Sequence, residues 1–344
     1  MQLTFPYRFA VVMFGEDGTN LGTVLAKRDW EPAAAWTRLY YQRRGRLSLD
    51  GTGGASVLPL WERTMGEPYC RGYRVQIEQP GRRPVASDFP TTHFRDFATA
   101  VASVYVEQKK LRAGEYYSYM VVAHPAKPET PNNGGLSVSD ASPGLAVRQA
   151  SLGSFLNRAL SMGVIDTDDM PVFVHRRVLD EAAERTHAEE GTETGGILIG
   201  TLWQDAEVGE IFVEITAQIP AEHTVGNNVK LTFTPQTWAA ADAALQLRKR
   251  GESFQGWWHA HPIRTWCKAK ACTPEAQKTC HLAKDFFSAD DEAVTRAAFP
   301  AAHSVAIVAN DTAFTDLTFS MFANREGLMQ PRGFHVLEGE INGA

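Results

Sequence analysis

The sequence predicts an α/β protein: a C-terminal mixed α/β domain, its sheet flanked by helices, preceded by an α+β N-terminal domain. Three observations carry this. A length of 344 residues gives a soft prior of two domains at about 150 residues each. The stretch His124 to Gly144, HPAKPETPNNGGLSVSDASPG, is rich in Pro, Gly, Asn and Ser and almost lacks large apolar residues, the composition of a linker. Beyond it, short apolar runs alternate with helical patterns. The expected organisation is residues 1–123, a linker over 124–150, a second domain over 151–330, and a C-terminal tail over 331–344.

In the N-terminal part, Tyr7 to Phe14 (YRFAVVMF) reads as a strand, and Tyr73 to Gln79 alternates as a half-buried strand does. Thr92 to Arg112 has helical spacing at Phe94, Phe97, Ala98, Val101, Val104 and Tyr105, with Thr91 or Thr92 as N-cap. Glu115 to Ala123 is an aromatic-rich strand. In the C-terminal part the strands are Val172–Val174, Gly195–Leu202, Glu210–Ala217, Leu231–Thr234, Phe254–His259 and His303–Ala309. The helices are Arg177–Ala188, one opened by Thr234-Pro235, and one from Ser288 to about Ala298.

Composition excludes several classes. A net charge of −6 without a long basic run argues against nucleic acid as a partner. No apolar stretch reaches the 18 or so residues of a membrane span. The segment Met1–Asp17 lacks a basic n-region, so a cytoplasmic chain is expected. Four cysteines make no disulfide framework; Cys267, Cys272 and Cys280 instead cluster soon after His259 and His261, which suggests metal.

Gly256-Trp257-Trp258-His259-Ala260-His261-Pro262 sets two histidines on one side of an extended segment, because strand side chains alternate. Two imidazoles so placed can reach one ion. Paired surface histidines are the plainer alternative. Ser288-Ala289-Asp290-Asp291 offers a carboxylate at a helix start, where an ordinary cap would also put one. Thr192-Glu193-Thr194-Gly195-Gly196 sets a glutamate before a Gly-rich apolar strand, or simply a solvated loop acid.

Taken together, these motifs resemble the JAMM (JAB/MPN-plus) zinc metalloproteases. The family pattern is a glutamate before an x-G-h-L-h-G strand, then H-x-H-P, then S-x-x-D, then an apolar strand. It is matched by Glu193 in ETGGILIG, His259-Ala260-His261-Pro262, Ser288–Asp291 and SVAIV at 304–308. The likeness spans about residues 170–325. It implies a JAB/MPN fold and one catalytic zinc on His259, His261 and Asp291. A zinc-activated water would attack the carbonyl, with Glu193 as general base and Ser288 donating to the oxyanion. The implied reaction removes a ubiquitin-like protein from a lysine amine, or processes its precursor, at a glycine-ending tail. Activating and conjugating enzymes are implied partners, and bacterial antiviral defence an implied setting.

The spacing departs from the family, whose aspartate follows the second histidine by about a dozen positions; here Asp291 lies 30 after His261. The excess reads as an insertion over about 263–285. An alignment without insertion puts Cys272 at the aspartate position, in a His-His-Cys site. Asp290 competes with Asp291, and the S-x-x-D spacing favours Asp291. Cys267, Cys272, Cys280 and His281 form a candidate second, structural zinc set, against reduced cysteines packed as small hydrophobes. Rival functions are a metal-free scaffold of the same fold and a zinc hydrolase of a small or sulfur-carrier adduct. The N-terminal domain carries no catalytic spacing.

Overall fold

A computed structural model describes residues 3–50, 53–62, 69–126, 144–189, 191–221, 233–273, 275–276, 286–312 and 317–338. The chain divides into two compact units, Met1–Leu145 with Glu326–Leu328, and Ala146–Arg325 with Met329–Ala344.

The first unit is α+β, as the sequence predicts. Its elements are β1 (Leu3–Thr4), β2 (Tyr7–Gly15), β3 (Asn20–Leu25), α1 (Glu31–Arg43), β4 (Ala55–Glu62), β5 (Tyr69–Ile77), β6 (Val85–Pro90), α2 (Arg95–Glu107) and β7 (Tyr117–Pro125). They form a sheet of order β1-β4-β5-β6 and another of order β3-β2-β7. Alternation along β2 sends Phe9, Val11 and Met13 into a core with Trp30, Tyr73 and Phe94. The predicted helix from Thr92 differs at both ends. Thr91–Phe94 winds as a 3₁₀ turn, so Phe94 and not a threonine stands at the N-cap of α2. Lys109, at φ 58°, stops the continuation toward Arg112.

The second unit holds β8 (Arg148–Gln149), α3 (Leu152–Leu156), β9 (Ala159–Met162), β10 (Val172–His175), α4 (Arg176–Ala188), β11 (Gly195–Gln204), β12 (Ile211–Pro220), α5 (Pro235–Arg248), β13 (Ser253–His261), α6 (Ile263–Ala269), α7 (Ala289–Ala298), β14 (Val305–Asn310), β15 (Thr318–Arg325), β16 (Leu328–Arg332) and β17 (Phe334–Leu337). One mixed sheet runs β16-β15-β14-β13-β11-β12-β10-β17-β9, with β8 beside β11. The Thr234-Pro235 signal opens α5 as read: the Thr234 side chain accepts from Thr237 N–H. Of the strand expected over Leu231–Thr234, Phe233 and Thr234 are not extended pairs of the sheet but the lead into α5. Leu231 and Thr232 lie outside the described residues.

Two boundaries need correction. The expected tail contains β17, a buried strand paired with β10 and β9, because Phe334, Val336 and Leu337 complete the sheet's apolar interior. The expected linker is shorter than 124–150: β7 runs to Pro125, and Arg148 and Gln149 already pair with Trp203 and Gln204. Residues 127–143 of it lie outside the described residues. Among the described residues no helix is long and apolar enough to cross a membrane.

The helices α5 and α7 supply Ala241, Val294 and Ala298 to a cluster with Ile197, Trp257 and Val308 of the sheet. The strand β13 lies inside the sheet, antiparallel to β11 and parallel to β14. Two glycines allow this. Gly256 has φ +148°, and a Cβ there would stand 1.8 Å from the Val305 carbonyl oxygen. At Gly196 a Cβ would stand 2.6 Å from Trp258 Nε1.

Candidate metal centre

Alternation along β13 turns Trp257, His259 and His261 to the α7 side. Trp258 faces the other way, where its indole N–H donates to Gln218 Oε1 at 3.1 Å. The helix α7 runs against β13 so that Asp291 meets the histidines while Thr295 Oγ1 accepts from Trp257 Nε1 at 3.0 Å. The spacing matches. Four helical residues advance about 6 Å and two strand residues about 6.6 Å.

His259 Nε2 and His261 Nε2 lie 3.0 Å apart. Asp291 Oδ1 lies 3.3 Å from His259 Nε2, and Oδ2 lies 3.9 Å from His261 Nε2. A tetrahedral ion with bonds of about 2.0–2.1 Å sets its ligand atoms about 3.3 Å apart. The donor set therefore fits a metal ion, and His259, His261 and Asp291 form a group able to hold one. Asp290 is exposed on the same turn, so Asp291 is the converging carboxylate. Cys272 takes no part in this group, which sets aside the His-His-Cys alternative.

Protonation states agree with ligation. Burial and the neighbouring His259 lower His261 to about 3, while Asp291 and the Asn310 side chain act the other way. Burial alone would raise Asp291. The hydrogen bond and charge of His259, with the hydrogen bond from Ser288 N–H, outweigh it and bring the carboxyl to about 2. At neutral pH the group thus offers a neutral imidazole on His261 and a carboxylate, the forms a cation needs. Aromatic rings dry the site: Trp257 stacks on His259 at 4.4 Å and Phe286 on His261 at 4.2 Å. Both histidine Nδ1 atoms are buried without a close partner.

Ser288 is the N-cap of α7 in a reciprocal capping box. Its hydroxyl accepts from Asp291 N–H at 3.1 Å, and its own N–H donates to Asp291 Oδ2 at 2.7 Å. The cap and the metal motif are one device, since S-x-x-D spacing is N-cap to N3. Accepting through a lone pair leaves the Ser288 hydroxyl proton for another acceptor.

Glu193 precedes β11 and is partly buried. Gly195 pairs with His259, and Ala260 N–H donates to Thr194 O at 2.8 Å. The pairing begins at Gly195, two residues after Glu193. Cys267 is buried in α6, and Cys272 N–H donates to Cys267 O at 3.0 Å. Cys280 and His281 lie outside the described residues, so the second-zinc set extends beyond them. Sequence reading missed Asn310, paired in register with His261. It is a polar residue closing the apolar run VAIVAN, a signal that gains meaning only once β14 is set beside β13.

No protein-family model matches the chain, and no curated protein matches it. Among solved structures, the solution structure of protein DSY2949 from Desulfitobacterium hafniense is 15% identical. That match covers 49% of this chain and 94% of that one at a TM-score of 0.33, too low to equate the two folds.

Proposed function

We propose that the protein is a zinc-dependent isopeptidase of the JAMM type, acting at the glycine-ending tail of a ubiquitin-like protein joined to a lysine amine. The observation that supports this reading is the convergence of His259 Nε2, His261 Nε2 and the Asp291 carboxylate at separations of 3.0, 3.3 and 3.9 Å.

His259, His261 and Asp291 would hold the ion. When bound, zinc supplies Lewis acidity, polarising a carbonyl and making water acidic enough to react near neutral pH. Glu193 takes a proton from the attacking water and delivers it to the departing lysine amine, which leaves as a neutral amine. The Ser288 hydroxyl donates to the oxygen that gains charge as the carbonyl becomes tetrahedral. Phe286, Trp257 and the buried strand keep bulk water from the ligands, which strengthens each charge interaction there.

The test uses a synthetic isopeptide between a peptide ending in Gly-Gly and a lysine side chain, with the zinc-loaded protein. Mass spectrometry should show both halves released, and a free Gly-Gly-ending peptide should inhibit. Glu193→Gln should keep its zinc and lose turnover by at least about 100-fold. A Glu193→Gln protein as active as wild type would overturn this reading.

A further inference from the structure

On the reading that His259, His261 and Asp291 hold a metal, we infer that Asn310 is the residue that orients His261 toward it, by accepting the Nδ1 proton of that ring. The strands β13 and β14 are parallel, and His261 and Asn310 are register partners, so both side chains leave the same face of the sheet. Asn310 is 3% exposed, and its Nδ2 donates to Ser320 Oγ at 3.0 Å. With the amide nitrogen engaged there, the carbonyl Oδ1 is turned away from Ser320. That Oδ1 and His261 Nδ1 are both buried, and neither has a hydrogen-bond partner.

The two atoms are complementary. A neutral imidazole carries one proton; if Nε2 is to offer its lone pair to a cation, the proton sits on Nδ1 and needs an acceptor. An amide carbonyl supplies one without adding charge. In this orientation the amide nitrogen sits at Ser320 and the carbonyl is left for the ring; a flipped amide would present N–H groups to Nδ1 and favour the wrong tautomer. The register partners of His259, Gly195 and Val308, carry no polar side chain. Tautomer control therefore rests on the His261 side of the pair.

The experiment measures Zn²⁺ affinity by chelator competition in wild type, Asn310→Leu, Asn310→Asp and Ser320→Ala. Side-chain ¹⁵N spectra of metal-free samples report the His261 tautomer, and thermal melts of those samples check folding. Asn310→Leu should bind zinc about 10–100-fold more weakly and lose the pure Nδ1–H tautomer. Asn310→Asp, which keeps an acceptor, should retain both, and Ser320→Ala should fall between. If Asn310→Leu fails to fold, Ser320→Ala carries the test through the same two readouts. Zinc-binding wild type with unchanged affinity and tautomer in the folded variants overturns this inference alone. Equal losses in Asn310→Leu and Asn310→Asp also overturn it, since they report packing rather than acceptance. A wild type that takes up no zinc overturns both this inference and the metal reading beneath it.

Discussion

Ser288 and Asp291 hold each other across the first turn of α7: the hydroxyl accepts the aspartate N–H at 3.1 Å, and the serine N–H donates to Oδ2 at 2.7 Å. One carboxylate oxygen is thereby tied to the backbone while the other faces His259. Ser288→Ala should destabilise the protein by about 1 kcal/mol through loss of the cap, and should weaken metal binding as Asp291 gains freedom. Ser288→Thr should restore most of both. Urea unfolding and chelator competition on the same samples check this; Ser288→Ala with unaltered stability and metal affinity would deny the box its positioning role.

Removing both imidazoles should remove the ion. Elemental analysis of wild type is expected to give one metal lost entirely in His259→Ala/His261→Ala. Two in wild type and one in the double variant would instead add a site at Cys267, Cys272, Cys280 and His281. Metal content equal in the two proteins would contradict the assignment of His259, His261 and Asp291.

Gly256 permits the close approach of β13 to β14. Because an added Cβ would collide with the Val305 carbonyl at 1.8 Å, and φ is +148°, Gly256→Ala should cost at least about 3 kcal/mol. Chemical denaturation gives the loss, and hydrogen exchange along Val305–Asn310 locates it. A variant as stable as wild type would show that the strands can part there freely.

Acid should weaken the first unit through His93. Its Nδ1 lies 2.9 Å from the Tyr73 hydroxyl, and burial, with the Arg28 charge, lowers the ring to about 4. The unfolded state binds a proton near 6.5 that the folded state refuses until about 4, so stability falls as pH drops through that window. His93→Gln keeps a polar partner for Tyr73 but cannot titrate. Unfolding free energies from pH 7 to 4 should slope less in that variant; equal slopes would remove His93 as the cause.

Much of the second unit was legible because its signals are local. Alternation and apolar runs mark β11, β12, β13 and β14, and Thr234-Pro235 and Ser288 mark the starts of two helices. The ligand set came from the resemblance to the JAMM pattern, to which spacing contributed two parts: period two joins His259 to His261, and S-x-x-D joins Ser288 to Asp291. What escaped depends on partners distant in sequence. The strand β17 looks like a tail until β10 and β9 enclose it. The segments β3, β4 and α1 are held by a core of Phe9, Trp30 and Tyr73 that no local pattern announces. Asn310 gains its place only from parallel pairing, which links residues 49 apart in the chain.

The 30-residue interval from His261 to Asp291 has a consequence for how this chain can vary. An ion held by His259, His261 and Asp291 would close that interval into a ring, and polymer statistics make ring closure only logarithmically dependent on contour length. Extending it from about a dozen residues to 30 adds about 0.8 kcal/mol of closure entropy. Its anchors lie at the two ends: Arg264 N–H on the Asp311 carbonyl, and Phe286 stacked on His261 ahead of the capped turn. By this closure term a change of length between those anchors carries a small thermodynamic penalty, whereas Trp266, packed on His261, and Cys267, buried in α6, are held by their own contacts.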